Sequence, residues 1–320
     1  MLIQFLVLIS GLACLWLGAE LLVRNSSILG RSIGISPTVI GLTVVSIGTS
    51  LPEFVVSLMA AIQDTMGISI GNIVGSNIAN IGLILGFSAI LTTLKIKRRW
   101  VFKEVPAMII FTIIFSIFGL IGQKLDRLDG LILVILLGLF LYYLWHSSSN
   151  ELLGSTEFSR EGFNEAKMSL KEKLLITFLA MVGIIILIGG SYATVSSAKH
   201  LAQALGVSDT VIALTLIAVG TSLPELATTI VGILRKETDI VVGNVIGSNI
   251  FNLLFIGGVV PVFRPIPIER ELFNIEFPIL IFLSILVLPL MRSRWNIHRA
   301  EGFLLLTIYI VFLVLTMNKS

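Results

Sequence analysis

Charge is scarce in this chain: only 13% of its 320 residues are Asp, Glu, Lys or Arg, while 56% are hydrophobic and the mean hydropathy is +1.02. That balance excludes a soluble globular domain, and no nucleic-acid partner is expected. Cysteine is nearly absent. Cys14 stands alone, so no intramolecular disulfide and no cysteine metal cluster can form. The three histidines, His146, His200 and His298, fall at loops or at the ends of apolar stretches, which leaves no buried histidine set for a transition metal. No basic residue precedes the first apolar stretch, and that stretch is about twice as long as a signal-peptide core, so it reads as a retained span.

What the chain does have is apolar runs. A helix needs about 20 residues to cross a hydrocarbon core roughly 30 Å thick. Ten stretches qualify, near 2–23, 37–63, 67–94, 103–122, 127–146, 173–197, 209–234, 240–263, 271–291 and 297–317. The sequence therefore predicts an all-α polytopic membrane protein. Of the 22 Lys and Arg, 16 fall on one side of these spans: Arg24, Arg31, the cluster Lys95 to Lys103, the central loop, Arg235, Lys236, Arg292, Arg294 and Arg299. Six fall on the other: Lys124, Arg127, Lys199, Arg264, Arg270 and Lys319. Cytoplasmic loops carry the excess, so both termini are expected outside and the central loop in the cytoplasm.

The chain repeats itself. Residues 39–53, VIGLTVVSIGTSLPE, match residues 211–225, VIALTLIAVGTSLPE, at ten of fifteen positions, and GNIVGSNIAN at 71–80 matches GNVIGSNIFN at 243–252 at seven of ten. Both matches share an offset of 172. The halves are expected to be residues 1–146 and 173–320, joined by a polar linker at 147–172. Five spans per half is an odd number, so the second copy enters the membrane from the opposite side. Inverted repeats of this kind are a transporter architecture with substrate sites near the midplane.

Each GTSLPE segment interrupts a span. Pro52 and Pro224 lack an N–H and clash with the carbonyls of Gly48 and Gly220, which predicts broken helices 2 and 7. Carbonyls freed inside a membrane must be buried in protein or face a polar cavity. Around the breaks stand Thr49, Ser50 and Glu53 in one half and Thr221, Ser222 and Glu225 in the other. Glu53 and Glu225 are the only carboxylates expected deep in a span, with no Lys, Arg or His to balance them, so mobile cations or protons must do so. Carboxylates, hydroxyls, amides and carbonyls suit the hard ions Ca2+ and Na+; Mg2+ sheds its water too reluctantly. Asn72, Ser76 and Asn80, spaced by four, form a polar stripe on one helical face, repeated as Asn244, Ser248 and Asn252. Gly71, Gly75, Gly243 and Gly247 form small-residue pairs that admit a close neighbour. Asn77 and Asn249 lie off the stripe and are expected to bond between helices. Glu20 is expected to pair with Arg24, four residues on.

The two GTSLPE and two GSNI(A/F)N segments resemble the alpha-repeats of the cation/calcium exchanger superfamily, above all prokaryotic sodium/calcium exchangers of ten helices. The resemblance covers both halves. It implies ion coordination by Thr49, Ser50, Glu53, Ser76 and Asn80 and by Thr221, Ser222, Glu225, Ser248 and Asn252, with backbone carbonyls of Ser46 and Ala218 also contacting Na+. Some relatives carry Asp where this chain has Asn252, so only two acids remain at the centre here. The short linker has no room for the calcium-binding regulatory insert of eukaryotic exchangers. The resemblance also implies electrogenic exchange of several Na+ per Ca2+, with the first and sixth helices sliding across a core of the other eight.

The expected function is Na+/Ca2+ antiport by alternating access in a prokaryotic cell membrane, with no cofactor, no catalytic residue and no obligatory protein partner. Competition of Ca2+ and Na+ for overlapping positions would couple the two fluxes. A Ca2+/H+ antiporter, or one coupling another cation to Ca2+, is the alternative. A passive channel and a membrane-embedded acid-base enzyme are the remaining classes, the last weakened by the absence of a nucleophile beside a base.

Overall fold

The computed structural model describes residues 1–154, 168–205 and 220–317, with side chains described only to Ser147 in the first stretch. The rest of the chain, including residues 209–219 of the expected seventh span, Ala218, half of the expected linker and Lys319, lies outside the described residues. The protein is an all-helical polytopic membrane fold. In chain order the helices are α1 (Leu2–Ile33), α2 (Pro37–Thr49), α3 (Leu51–Ile62), α4 (Met66–Leu91), α5 (Trp100–Gly122) and α6 (Arg127–Gly154). There follow α7 (Leu170–Ala204), α8 (Leu223–Leu234), α9 (Thr238–Phe263), α10 (Glu276–Arg294) and α11 (Arg299–Met317). Among the described residues, eight helices are long and apolar enough to cross a bilayer, or nine if the bent pair α2 and α3 counts as one span. The difference from ten arises because α8 is only the described half of the expected seventh span.

Local chemistry sets the ends. Ser36 caps α2, accepting from the Val39 N–H, and Pro37 occupies the first turn, where its missing N–H leaves no bond unmade. Ser169 and Glu172 form a capping box at the start of α7. Gly34 closes α1 at φ 73°, a conformation that a Cβ would strain.

α1 and α7 outrun the expected spans. At 32 and 35 residues they measure roughly 48 and 52 Å, longer than the hydrocarbon core, so they tilt in it or project beyond it. Polarity at Arg24 to Ser27 does not end α1, because Asn25, Ser26 and Ser27 are buried against the protein. The two helices cross antiparallel through glycines: a Cβ on Gly18 would lie 2.7 Å from the Gly183 carbonyl oxygen, and one on Gly190 would lie 2.9 Å from that of Gly11. These glycines are exchanged by the offset of 172, Gly11 with Gly183 and Gly18 with Gly190.

The same exchange governs the ends of the bundle. β1 (Leu94–Lys95) pairs antiparallel with β4 (Asn296–Ile297), and β2 (Lys124–Leu125) with β3 (Ile266–Pro267). Adding 172 to Leu94 and subtracting it from Ile297 turns the first bridge into the second. Thr112 and Ser284, themselves 172 apart, meet with hydroxyls 3.4 Å apart.

α4 and α9 are the most enclosed helices, sheathed by Ile70, Ile73 and Ile78 on one and Val245, Ile246 and Ile250 on the other. Each contains a π-helical turn, Asn80–Leu85 and Asn252–Ile256, and α2 carries another at Gly41–Val45. Wide turns of this kind break the regular ladder and recur at functional sites.

Candidate cation site

The chain bends by 43° between α2 and α3, at Ser50. Ser50 has φ −86° and ψ 4°, and Ser222, at the matching place before α8, has φ −88° and ψ 7°. Both sit in the sparsely populated bridge region where many functional residues are found. Pro52 and Pro224 follow in the first turns of α3 and α8, and these turns hold Glu53 and Glu225. Both glutamates are fully enclosed, at 0% exposure.

The two halves reach into each other. Ser50 Oγ donates to Glu225 Oε1 at 3.2 Å, which brings the segments bearing the two acids together. Thr49 Oγ1 donates to Asn244 Oδ1 at 3.0 Å and lies 3.4 Å from Ser248 Oγ. In the exchanged arrangement Thr221 Oγ1 donates to Asn72 Oδ1 at 3.3 Å. The Asn72 amide also donates to the Glu53 carbonyl and to Ser57, and that of Asn244 donates to Thr228. Close approach of α2 to α9 makes this possible. A Cβ on Gly247 would lie 2.7 Å from both the Leu42 carbonyl oxygen and Ser46 Oγ. Gly71 and Gly75 meet nothing within 4 Å among the described residues; the equivalent of Leu42 and Ser46 on that side, residues 214 and 218, lies outside them.

Many of the oxygens so gathered are unsatisfied. Both carboxylate oxygens of Glu53, Oε2 of Glu225, the hydroxyls of Ser76 and Ser222 and the side-chain amides of Asn80 and Asn252 are buried with no hydrogen-bond partner among the described residues. Buried polar atoms are ordinarily bonded, so unbonded oxygens at exchanged positions of the two halves mark these residues as candidate ligands. No group of three or more His, Cys, Asp and Glu occurs among the described residues, so the set is oxygen-dominated with two acids. Ser46 is buried beside Thr49; its carbonyl accepts the Ser50 N–H and lies 3.3 Å from the Thr49 hydroxyl.

Two expectations are corrected. Asn77 and Asn249 do not bond between helices; each donates to a carbonyl one turn back in its own helix, Ile73 and Val245. Glu20 pairs with Arg235 rather than Arg24, because the turn after α8 packs on α1. A further pair of acids is enclosed near helix starts rather than deep in a span: Glu104 and Glu276, again 172 apart, are buried near the starts of α5 and α10. Glu104 takes Arg99 Nε at 2.5 Å, a charge already balanced by protein. The π turns starting at Asn80 and Asn252 had no signature in the pattern beyond the repeated asparagines.

The family described as sodium/calcium exchanger protein matches residues 3–146 and 175–318, both halves of the chain. The chain belongs to this family. Within it, the inner membrane protein YrbG of Escherichia coli strain K12 is 36% identical over 98% of this chain and 97% of its own length. The sodium/calcium exchanger MaX1 of Methanosarcina acetivorans is 32% identical over 98% of each. A solved structure of the sodium-calcium exchanger NCX_Mj, soaked with 10 mM Na+ and zero Ca2+, matches with a TM-score of 0.82 at 34% identity, covering 98% of this chain and 99% of that one. The exchanger family places the chain among membrane transporters and not among enzymes.

Proposed function

We propose that this member of the exchanger family is a secondary antiporter that moves Ca2+ against Na+ by alternating access. In this reading the ions bind at Glu53, Glu225, Thr49, Thr221, Ser50, Ser222, Ser76, Ser248, Asn80 and Asn252, with the backbone carbonyls of Ser46 and Ala218 as further donors. The observation that carries it is the buried set of orphaned oxygens around two acids contributed from exchanged positions. Two ionised carboxylates in an apolar slab repel each other and lack counter-charge, so the pair is stable only when cations or protons neutralise it. Ca2+ or several Na+ ions satisfy that need alternately. An unfilled pair resists crossing the membrane, and this suppresses leak.

The architecture belongs to the same proposal. Ten spans form two inverted five-helix repeats, residues 1–146 and 173–320, joined by a cytoplasmic linker at 147–172, with helices 2 and 7 broken at Pro52 and Pro224 and both termini outside. The exchanged glycine contacts of α1 and α7 and the exchanged β bridges support it. The fold is that of a single chain in the lipid bilayer.

The deciding experiment is radiolabelled Ca2+ uptake into proteoliposomes with outward Na+, K+ or H+ gradients imposed in turn. Uptake driven by Na+ alone is expected. Uptake driven by the proton gradient without Na+ would replace this reading with Ca2+/H+ exchange, and sustained Ca2+ current without a counter-ion would replace it with a channel.

A further inference from the structure

The β1–β4 bridge gathers two basic segments that lie about two hundred residues apart. Residues 94–103 carry Lys95, Lys97, Arg98, Arg99 and Lys103, residues 292–299 carry Arg292, Arg294 and Arg299, and neither segment contains an acid. The exchanged junction at the other end of the bundle, residues 266–275 with 120–127, has the same backbone pairing but three basic and three acidic residues: Arg270, Lys124 and Arg127 against Glu269, Glu271 and Asp126. The fold therefore does not require the basic excess.

Of the eight basic side chains, Lys97 pairs with Asp239 at 2.6 Å and Arg99 with Glu104. Lys95, Arg98, Lys103, Arg292, Arg294 and Arg299 are exposed, with no carboxylate partner among the described residues. An exposed aromatic pair accompanies them: Phe102 and Trp295 have ring centroids 6.1 Å apart, and the Arg98 guanidinium lies over the Trp295 ring at 5.6 Å. A guanidinium over an indole ring keeps its charge and can still offer N–H groups to phosphate oxygens. Trp at the ends of spans sits at headgroup level. These features place unpaired positive charge and aromatic surface together at the depth of lipid phosphates.

We propose that this junction is a binding surface for the headgroups of anionic phospholipids, with Arg98, Arg292 and Arg294 as its phosphate contacts and Phe102 and Trp295 lying among the acyl-chain ends. Basic clusters next to spans attract anionic lipid electrostatically, and a geometry that sums two loops concentrates that attraction at one place. The surface would anchor the α4–α5 and α10–α11 turns to one leaflet while other helices move.

The test uses the purified full chain in a zwitterionic detergent, with bound lipid counted by native mass spectrometry and thermal stability followed as phosphatidylglycerol is added. The variant Arg98→Gln/Arg292→Gln/Arg294→Gln is compared with Lys124→Gln/Arg127→Gln/Arg270→Gln, which removes as much charge from the opposite junction. Each Lys or Arg near an anionic surface contributes roughly fivefold, so the first variant should bind phosphatidylglycerol about a hundredfold more weakly and the second should match the unaltered chain. Raising salt should release lipid from the unaltered protein, a readout that needs no variant. Equal loss in both variants, equal retention of phosphatidylcholine, salt-insensitive binding, or equal stabilisation by inorganic phosphate would each overturn the proposal.

Discussion

Replacing Glu53 by Gln tests the proposed site most directly, because the structure makes the expected change nearly pure electrostatics. Neither Glu53 carboxylate oxygen has a hydrogen-bond partner among the described residues, and the side chain is fully enclosed. The isosteric amide therefore leaves no cavity and disturbs little of the surrounding bonding. It removes one of two formal charges. At an effective dielectric constant of about 20, a unit charge about 4 Å away contributes roughly 4 kcal/mol to a monovalent ion and roughly twice that to a divalent one. At about 1.4 kcal/mol per decade, Na+ should lose up to about three decades of affinity and Ca2+ up to about six. The Gln carbonyl still offers a lone pair, so the firm expectation is the ratio: the logarithmic loss for Ca2+ is about double that for Na+. Glu225→Gln should behave similarly, less the Ser50 bond it alters. Calorimetric titration of both ions measures the ratio, Ca2+ uptake in proteoliposomes should vanish, and the melting temperature in ion-free buffer should hold or rise as a buried charge is removed. A folded Glu53→Gln protein that retains Ca2+ uptake, or that weakens Na+ and Ca2+ equally, would refute the reasoning.

Acidification should weaken apparent Ca2+ affinity, since protons compete with ions for the same two carboxylates; the measurement is half-saturating Ca2+ at stepped pH, and affinity that is flat or improves on acidification would count against it. Gly247→Ala should cost about 1–3 kcal/mol, because the added methyl meets the Leu42 carbonyl and Ser46 hydroxyl, whereas Gly138→Ala, with nothing within 4 Å among the described residues, should be neutral or stabilising; thermal unfolding compares them. Glu237→Gln withdraws the charged partner of Arg31, at 2.7 Å, and weakens the bond from Ser27. With these side chains partly in solvent the stability loss should stay below about 1 kcal/mol, yet hydrogen exchange should quicken over residues 20–33 and not over 2–15.

How much was legible beforehand depended on how local the information was. The apolar runs placed most helix ends within a few residues, and the repeated segments contain some residues that meet across the halves, among them Thr49 with Asn244 and Ser248, and Ser50 with Glu225. Ser50 meets Glu225 and Thr49 meets Asn244, but the pattern offered no way to see that each hydroxyl serves the opposite half. Glu20 shows the limit plainly. Its nearest basic neighbour in sequence is one turn away, and its partner in the fold is 215 positions on. The lengths of α1 and α7 were hidden for a related reason: polar residues that would end a span in lipid are buried against protein.

By itself the sequence determined that the chain lives in a membrane, that it is written twice, and that one unbalanced acid occurs in each copy. Hydropathy and identity are properties of neighbouring residues, so they survive without a fold. Only the tertiary structure decided which oxygens face one another, which asparagines bond within their own helix, and that two basic loops form one surface. Those outcomes depend on how one half packs on the other, and packing partners hundreds of residues apart leave no periodic mark in the chain.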